Sequence, residues 1–112
     1  MALPEDGCLL RIFIGESDKC DGHLLYEWIV IRAREEGLAG ATVMRGLMGF
    51  GAHSRLHSFK IERLSQDLPV VVEIVDRRDK LEQFLALIEG RIGEGLATLE
   101  RAEIRFYRSG RL

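Results

Sequence analysis

The sequence predicts an α+β fold of the ferredoxin-like kind, βαββαβ, with a four-stranded antiparallel sheet and both helices on one face. Three observations predict it. Apolar spacing switches between alternate residues and helical turns in the order strand, helix, strand, strand, helix, strand. Glycine or a polar turn stands at the changeovers. The 112 residues suffice for one domain with one core, so residues 1–112 are read as a single domain.

Leu9 to Ile14 reads as the first strand, with Leu10, Ile12 and Ile14 on one face and Leu9, Arg11 and Phe13 on the other. Gly15 ends it, and Gly15 to Lys19 is a polar turn that Ser17 and Asp18 can cap. Leu24 to Glu36 reads as a helix closed by Gly37. Its apolar residues run nearly all the way round, which predicts burial on more than one side. A second strand runs from about Ala41 to Met48, then breaks into Gly49 and Gly51. The polar, basic segment that follows ends only at Pro69; so long a loop in a compact domain is usually functional or disordered.

Val70 to Val75 is a third strand, continuous in Val and Ile apart from Glu73. Asp76 is a good helix N-cap, with Asp79 and Glu82 adding negative charge near the helix start. Leu81, Phe84, Leu85, Ile88 and Ile92 fall at helical spacing, giving a helix from about Arg78 to Ile92. Gly93 and Gly95 close it, and Leu96 to Leu99 and Ala102 to Tyr107 supply one or two last strand segments. With both helices on one face, the other sheet face carries Leu9, Arg11, Phe13, Val71, Glu73 and Val75, with Arg45 and Arg105 as charged partners. Such a face is either solvated or a subunit interface in which Glu73 pairs with an arginine.

Composition narrows the function classes. Apolar residues make 46% and charged residues 30%, an ordinary globular balance. A net charge of -2 argues against a non-specific nucleic-acid binder. No apolar run is long enough to span a bilayer, and Met1 to Asp6 lacks the pattern of a signal peptide, so a cytoplasmic protein is expected. Cys8 and Cys20 are not spaced as a zinc or redox pair. No Gly-x-Ser-x-Gly and no phosphate-loop motif is present, and the expectation is not an enzyme.

The candidate sites have bland readings beside the functional ones. Gly49 and Gly51 can bring backbone N–H groups to an anion, or can form a bulge or hinge. Gly93 and Gly95 can meet a ligand, or can simply end a helix. His53 and His57 lie four apart, without a third metal ligand at clear spacing. Arg45, Arg55, Lys60 and Arg63 form a basic rim that suits an anionic ligand or plain solvation.

Taken together, Leu10-Arg11-Ile12-Phe13-Ile14-Gly15-Glu16-Ser17-Asp18-Lys19, the run from Glu35 to Ser54, and Leu68-Pro69-Val70-Val71-Val72-Glu73-Ile74-Val75-Asp76 resemble the PII-like signalling proteins. The likeness is greatest to a bacterial PII-like family, and it covers about Leu9 to Tyr107. It implies a homotrimer with an effector between subunits, and a T-loop-like segment at about residues 50–68 that acts on a partner protein. That partner would be a membrane transporter or channel. The implied effector is an adenine nucleotide, AMP, ADP or ATP, with no tightly bound cofactor. The ligand-binding residues would be Gly49, Phe50, Gly51, Ser54, His57, Gly93, Gly95 and Arg105. The chain departs from PII in having Leu96 where PII places a lysine after the second glycine, and in having no tyrosine between Phe50 and Pro69. An alternative keeps the architecture but makes it a metal-responsive trimer, similar to the copper-tolerance proteins, with His53, His57 and Cys20 as ligands.

Overall fold

A computed structural model describes residues 6–51, 57–58 through their backbone, and 68–110. The elements are β1 (Asp6–Gly15), β2 (Lys19–Cys20), β3 (His23–Leu24), α1 (Leu25–Glu35), β4 (Thr42–Arg45), β5 (Met48–Gly49), β6 (His57–Ser58), β7 (Pro69–Asp76), α2 (Arg78–Ile88), a 3-10 turn (Glu89–Arg91) and β8 (Leu96–Glu103).

Alternation builds the sheet. Cys8, Leu10, Ile12 and Ile14 of β1 are buried, as are Val70, Val72 and Ile74 of β7. The register pairs Leu10 with Ile74 and Ile12 with Val72, so both apolar rows share one face. A slip of one residue would turn these rows to water, at about 1.5–3 kcal/mol for each large side chain. That sum exceeds the whole stability of a small domain, so the register is fixed.

The strand order is β4-β7-β1-β8, and every pairing is antiparallel. Leu25, Ile29 and Ala33 of α1 and Leu81, Phe84 and Ile88 of α2 close over the buried face. The fold is the expected ferredoxin-like βαββαβ. α1 is buried on a narrower front than its composition implied. Its buried residues form a single stripe, Tyr26, Trp28 and Val30 flank it, and Ile31 is exposed. Gly37 ends α1 as expected, with φ +77, its N–H bonded to Arg34 and that of Leu38 to Ala33.

Four local expectations are corrected. The second strand does not run unbroken to Met48: Gly46 N–H turns to the Pro69 carbonyl at 2.7 Å, and Met48–Gly49 join a separate ladder with His57–Ser58. The second helix changes to a 3-10 turn after Ile88, closed by Ile92 N–H on the Glu89 carbonyl at 3.1 Å. The last strand stops at Glu103 and not at Tyr107: Leu96–Glu103 form one element, all eight residues paired with β1, and residues 104–107 lie beyond it. Asp76 is not the N-cap of α2: that residue is Arg77, whose side chain makes no capping bond. Sequence reading also missed the β2–β3 hairpin, whose Asp21 and Gly22 have φ of 52° and 81°. An Asp-Gly pair with both φ positive suits a tight two-residue hairpin turn.

Candidate functional site

The root of the long segment is built at one end of the sheet. Gly46 and Gly49 both face the Pro69 ring: a Cβ on Gly46 would lie 2.8 Å from Pro69 Cγ, and one on Gly49 would lie 3.1 Å from it. The two glycines are therefore needed to let the chain pass over the proline. Glu16 N–H donates to the Leu68 carbonyl at 2.8 Å, and the Glu16 carboxylate pairs with Arg45. The Gly15 N–H donates to Asp18 Oδ2 at 3.0 Å, which ties the polar turn after β1 to the same place. Arg45 thus belongs to this root and not to the open sheet face: Met44 pairs with Val71 on that face, and Arg45, next along β4, turns away.

Beside the root lie the glycines that precede β8. Among the described residues, the nearest heavy atom to a Cβ on Gly51 is Glu94 Oε2, at 4.0 Å, so the Glu94 side chain reaches the Gly51 segment. Among the described residues, nothing lies within 4 Å of where a Cβ on Gly93 would be. Gly95 is different: its Cβ would lie 2.8 Å from the Phe13 carbonyl oxygen and 3.1 Å from methyls of Ile14 and Ile92. Packing against β1 therefore explains Gly95 without any ligand. Phe50 and Leu96 are exposed, at 69% and 59%. Ser54 and His53 lie outside the described residues, as does most of the segment at about 50–68. His57 is described only through its backbone, opposite Gly49.

Arg105 stands elsewhere. It follows the end of β8 that pairs with Asp6, whereas Gly95 precedes the end that pairs with Phe13. Ten residues of extended chain put about 30 Å between them. Within one chain the structure brings Gly49, Phe50, Gly51, Gly93 and Gly95 to one region and leaves Arg105 at the opposite end. Arg105 lines a cleft of about 510 Å³ between residues 102–107 and the loop 39–42, with Leu9, Glu73 and Val75 among the other residues that line it.

The open sheet face is half apolar and half charged. Arg11 lies between two carboxylates: Nε donates to Glu73 at 2.8 Å and Nη1 to Glu100 at 2.7 Å. The Glu73 bond, with Glu100 adding to it, raises the Arg11 pKa above its ordinary value. Leu9, Phe13, Val71 and Val75 surround this triad, half-buried. The pairing expected of Glu73 is thus made, and its arginine is Arg11.

Cys20 is buried, with Arg91 Nη1 3.7 Å from its sulfur. The same guanidinium pairs with Asp21, which raises its pKa, and lies 5.6 Å from the Trp28 ring centre. Arg91 thus fastens the β2–β3 hairpin to the end of the second helix. Among the described residues, no three His, Cys, Asp or Glu side chains stand together as metal ligands. No helix among them is long and apolar enough to cross a membrane.

The DUF190 family model, described as "Uncharacterized ACR", matches residues 7–104. The chain belongs to the DUF190 family. A UPF0166 protein of Aquifex aeolicus (strain VF5) is 43% identical over 96 residues, which is 86% of this chain and 90% of that protein. Among solved structures, this DUF190 chain is similar to CPII, a nitrogen regulatory PII-like protein from Thiomonas intermedia K12 bound to ADP, AMP and bicarbonate. The TM-score is 0.64, with 14% identity over 88% of each chain. It is also similar to the GlnK–ATP complex of B. subtilis, at TM-score 0.53 and 13% identity, covering 91% of this chain and 86% of that one. At these identities the likeness is one of fold, and that fold is PII-like.

Proposed function

We propose that this DUF190 protein is a non-catalytic, PII-like regulator that binds a small anionic effector between subunits of a homotrimer. The effector is an adenine nucleotide: AMP, ADP or ATP. Gly49, Phe50, Gly51 and Gly93 line the site from one subunit, with Gly95 shaping its wall. The neighbouring subunit supplies Arg105. Binding orders the segment at about 50–68, with Ser54 and His57 in contact, and that segment acts on a partner protein such as a membrane transporter or channel. The work takes place in the cytoplasm.

The observation that carries this reading is the meeting of Gly51 with the Gly93–Gly95 segment at the root of the long loop. Gly51 and Gly93 add no side chain of their own, which leaves their backbone N–H groups open to phosphate oxygens. The wide separation of Arg105 from this spot supports a two-chain site. Contacts that join opposite ends of one subunit are head-to-tail, and a three-fold rotation closes such contacts into a ring. The open face around Arg11 supports burial against another copy, since its charges are already paired. The PII-like solved structures with bound adenine nucleotides support the ligand class. Glu94 and the uncharged Leu96 favour fewer phosphates, or a phosphate carrying magnesium, because a bare triphosphate would meet a carboxylate there.

The experiment is isothermal titration with AMP, ADP and ATP, with and without magnesium, on the parent chain and on Gly51→Val. Among the described residues the nearest atom is 4.0 Å from the new Cβ, so the variant should melt like the parent. It should lose nucleotide binding. Equal affinity in parent and variant would remove Gly51 from the site.

A further inference from the structure

Beyond Glu103 the chain leaves the β-ladder, and two contacts fix where it goes. Ile104 lies over Gly7, where a Cβ would be 2.5 Å from Ile104 Cδ1, so its side chain packs directly on that glycine. Three residues later the Tyr107 hydroxyl donates to the Ala39 carbonyl at 2.6 Å. Ala39 is itself held from behind: its N–H donates at 2.9 Å to Oδ2 of Asp76, a carboxylate with no exposed surface. The other oxygen of Asp76 accepts from Arg77 N–H at 2.7 Å. Lys80 Nζ donates to the Gly37 carbonyl at 2.8 Å and steadies the start of the same loop. The arm 104–107 is therefore pinned at both ends, one pin reaching into the core. Arg105, between the pins, is exposed and pairs with Glu103 at 2.9 Å. A surface pair of that kind is worth little and yields readily to a phosphate.

We propose that Tyr107 is a positioning residue: its bond through Ala39 to buried Asp76 sets the direction from which Arg105 reaches the effector bound in the neighbouring subunit. This rests on the intersubunit site proposed above. An arm fixed at one end would sweep Arg105 through many directions and lose that ordering on every binding event. An arm fixed at both ends presents the guanidinium already aimed. Tyr107 touches no effector; it acts through Arg105, and Asp76 acts through Tyr107.

The test is a double-mutant cycle on the intact chain, read by titration with whichever of AMP, ADP or ATP binds tightest. Tyr107→Phe removes one oxygen from an exposed ring, and an unchanged melting temperature confirms that the fold is intact. Its affinity should fall about fivefold, as expected for one neutral hydrogen bond. Arg105→Ala should fall about tenfold or more, for a charged contact. The double variant should bind no more weakly than Arg105→Ala, because Tyr107 has nothing left to aim. Parent-like affinity in Tyr107→Phe overturns the proposal, and so does a full fivefold loss in the Arg105→Ala background. Failure of the parent to bind any of the three nucleotides would overturn the intersubunit reading as well, and that result is seen before any variant is made.

Discussion

Replacing Gly95 with alanine separates the structural use of a glycine from its use in binding. The new Cβ would meet the Phe13 carbonyl at 2.8 Å, Ile14 Cγ2 at 3.1 Å and Ile92 Cγ2 at 3.1 Å. The first neighbour is backbone of β1, fixed on both sides by β7 and β8, and cannot rotate aside. Either the start of β8 moves out by about half an ångström or the two isoleucines leave their rotamers. Overpacking of this kind costs about 1–3 kcal/mol. Alanine also restricts the unfolded chain and returns about 0.4–1 kcal/mol, leaving a net loss of about 1–2 kcal/mol. For a domain of this size that lowers the melting temperature by about 4–10 °C. Gly93→Ala is the control, since among the described residues nothing lies within 4 Å of its Cβ, and it should melt within about 2 °C of the parent. Thermal unfolding followed by circular dichroism measures both. Equal melting of Gly95→Ala and the parent would refute the reasoning. Equal losses from both variants would show that conformational freedom, not crowding, selects glycine there.

Asp76→Ala should be among the most damaging single changes. It strands the N–H groups of Ala39 and Arg77, which donate to Asp76 at 2.9 and 2.7 Å, and a loss of about 2–4 kcal/mol should appear as a lower urea midpoint. Phe13→Asp places a third carboxylate beside the Arg11 triad on the open sheet face; if that face joins the subunits of the proposed trimer, light scattering should show folded monomers of the variant and a larger particle for the parent, and equal particle mass would exclude this face as the interface. The Asp79 carboxylate is held below its ordinary value of 3.8 by its hydrogen bond to Arg77. Its folded pKa is depressed, so its small stabilising effect is complete above the unfolded value and disappears as pH falls through the folded one. Asp79→Asn should therefore melt like the parent at low pH and slightly below it at neutral pH; a difference confined to acid would contradict the assignment.

The alternation in Leu9–Ile14 and Val70–Val75, the helical spacing of Leu81, Phe84 and Ile88, and the glycine at 37 determined the fold class from sequence alone. They could do so because periodicity and a left-handed helix end are local properties of the chain. The end of the second strand was read too late, at Gly49, because its partner is Pro69: the chain leaves the ladder at Gly46, whose N–H turns to the Pro69 carbonyl. What the sequence left open are decisions between segments far apart in the chain. Gly95 read equally well as a ligand contact or a helix end, and only the Phe13 carbonyl, 82 positions earlier, shows it to be a packing glycine. Asp76 read as a helix cap, but the amide that claims its second oxygen belongs to Ala39, in a loop brought there by the sheet order β4-β7-β1-β8. The choice of Arg11 as the partner of Glu73, and the placing of Arg105 far from the glycines it was grouped with, followed from the antiparallel register of β1 with β7 and β8. Register and sheet order are properties of the folded chain as a whole, set by burying two rows of side chains at once, and no local pattern encodes them.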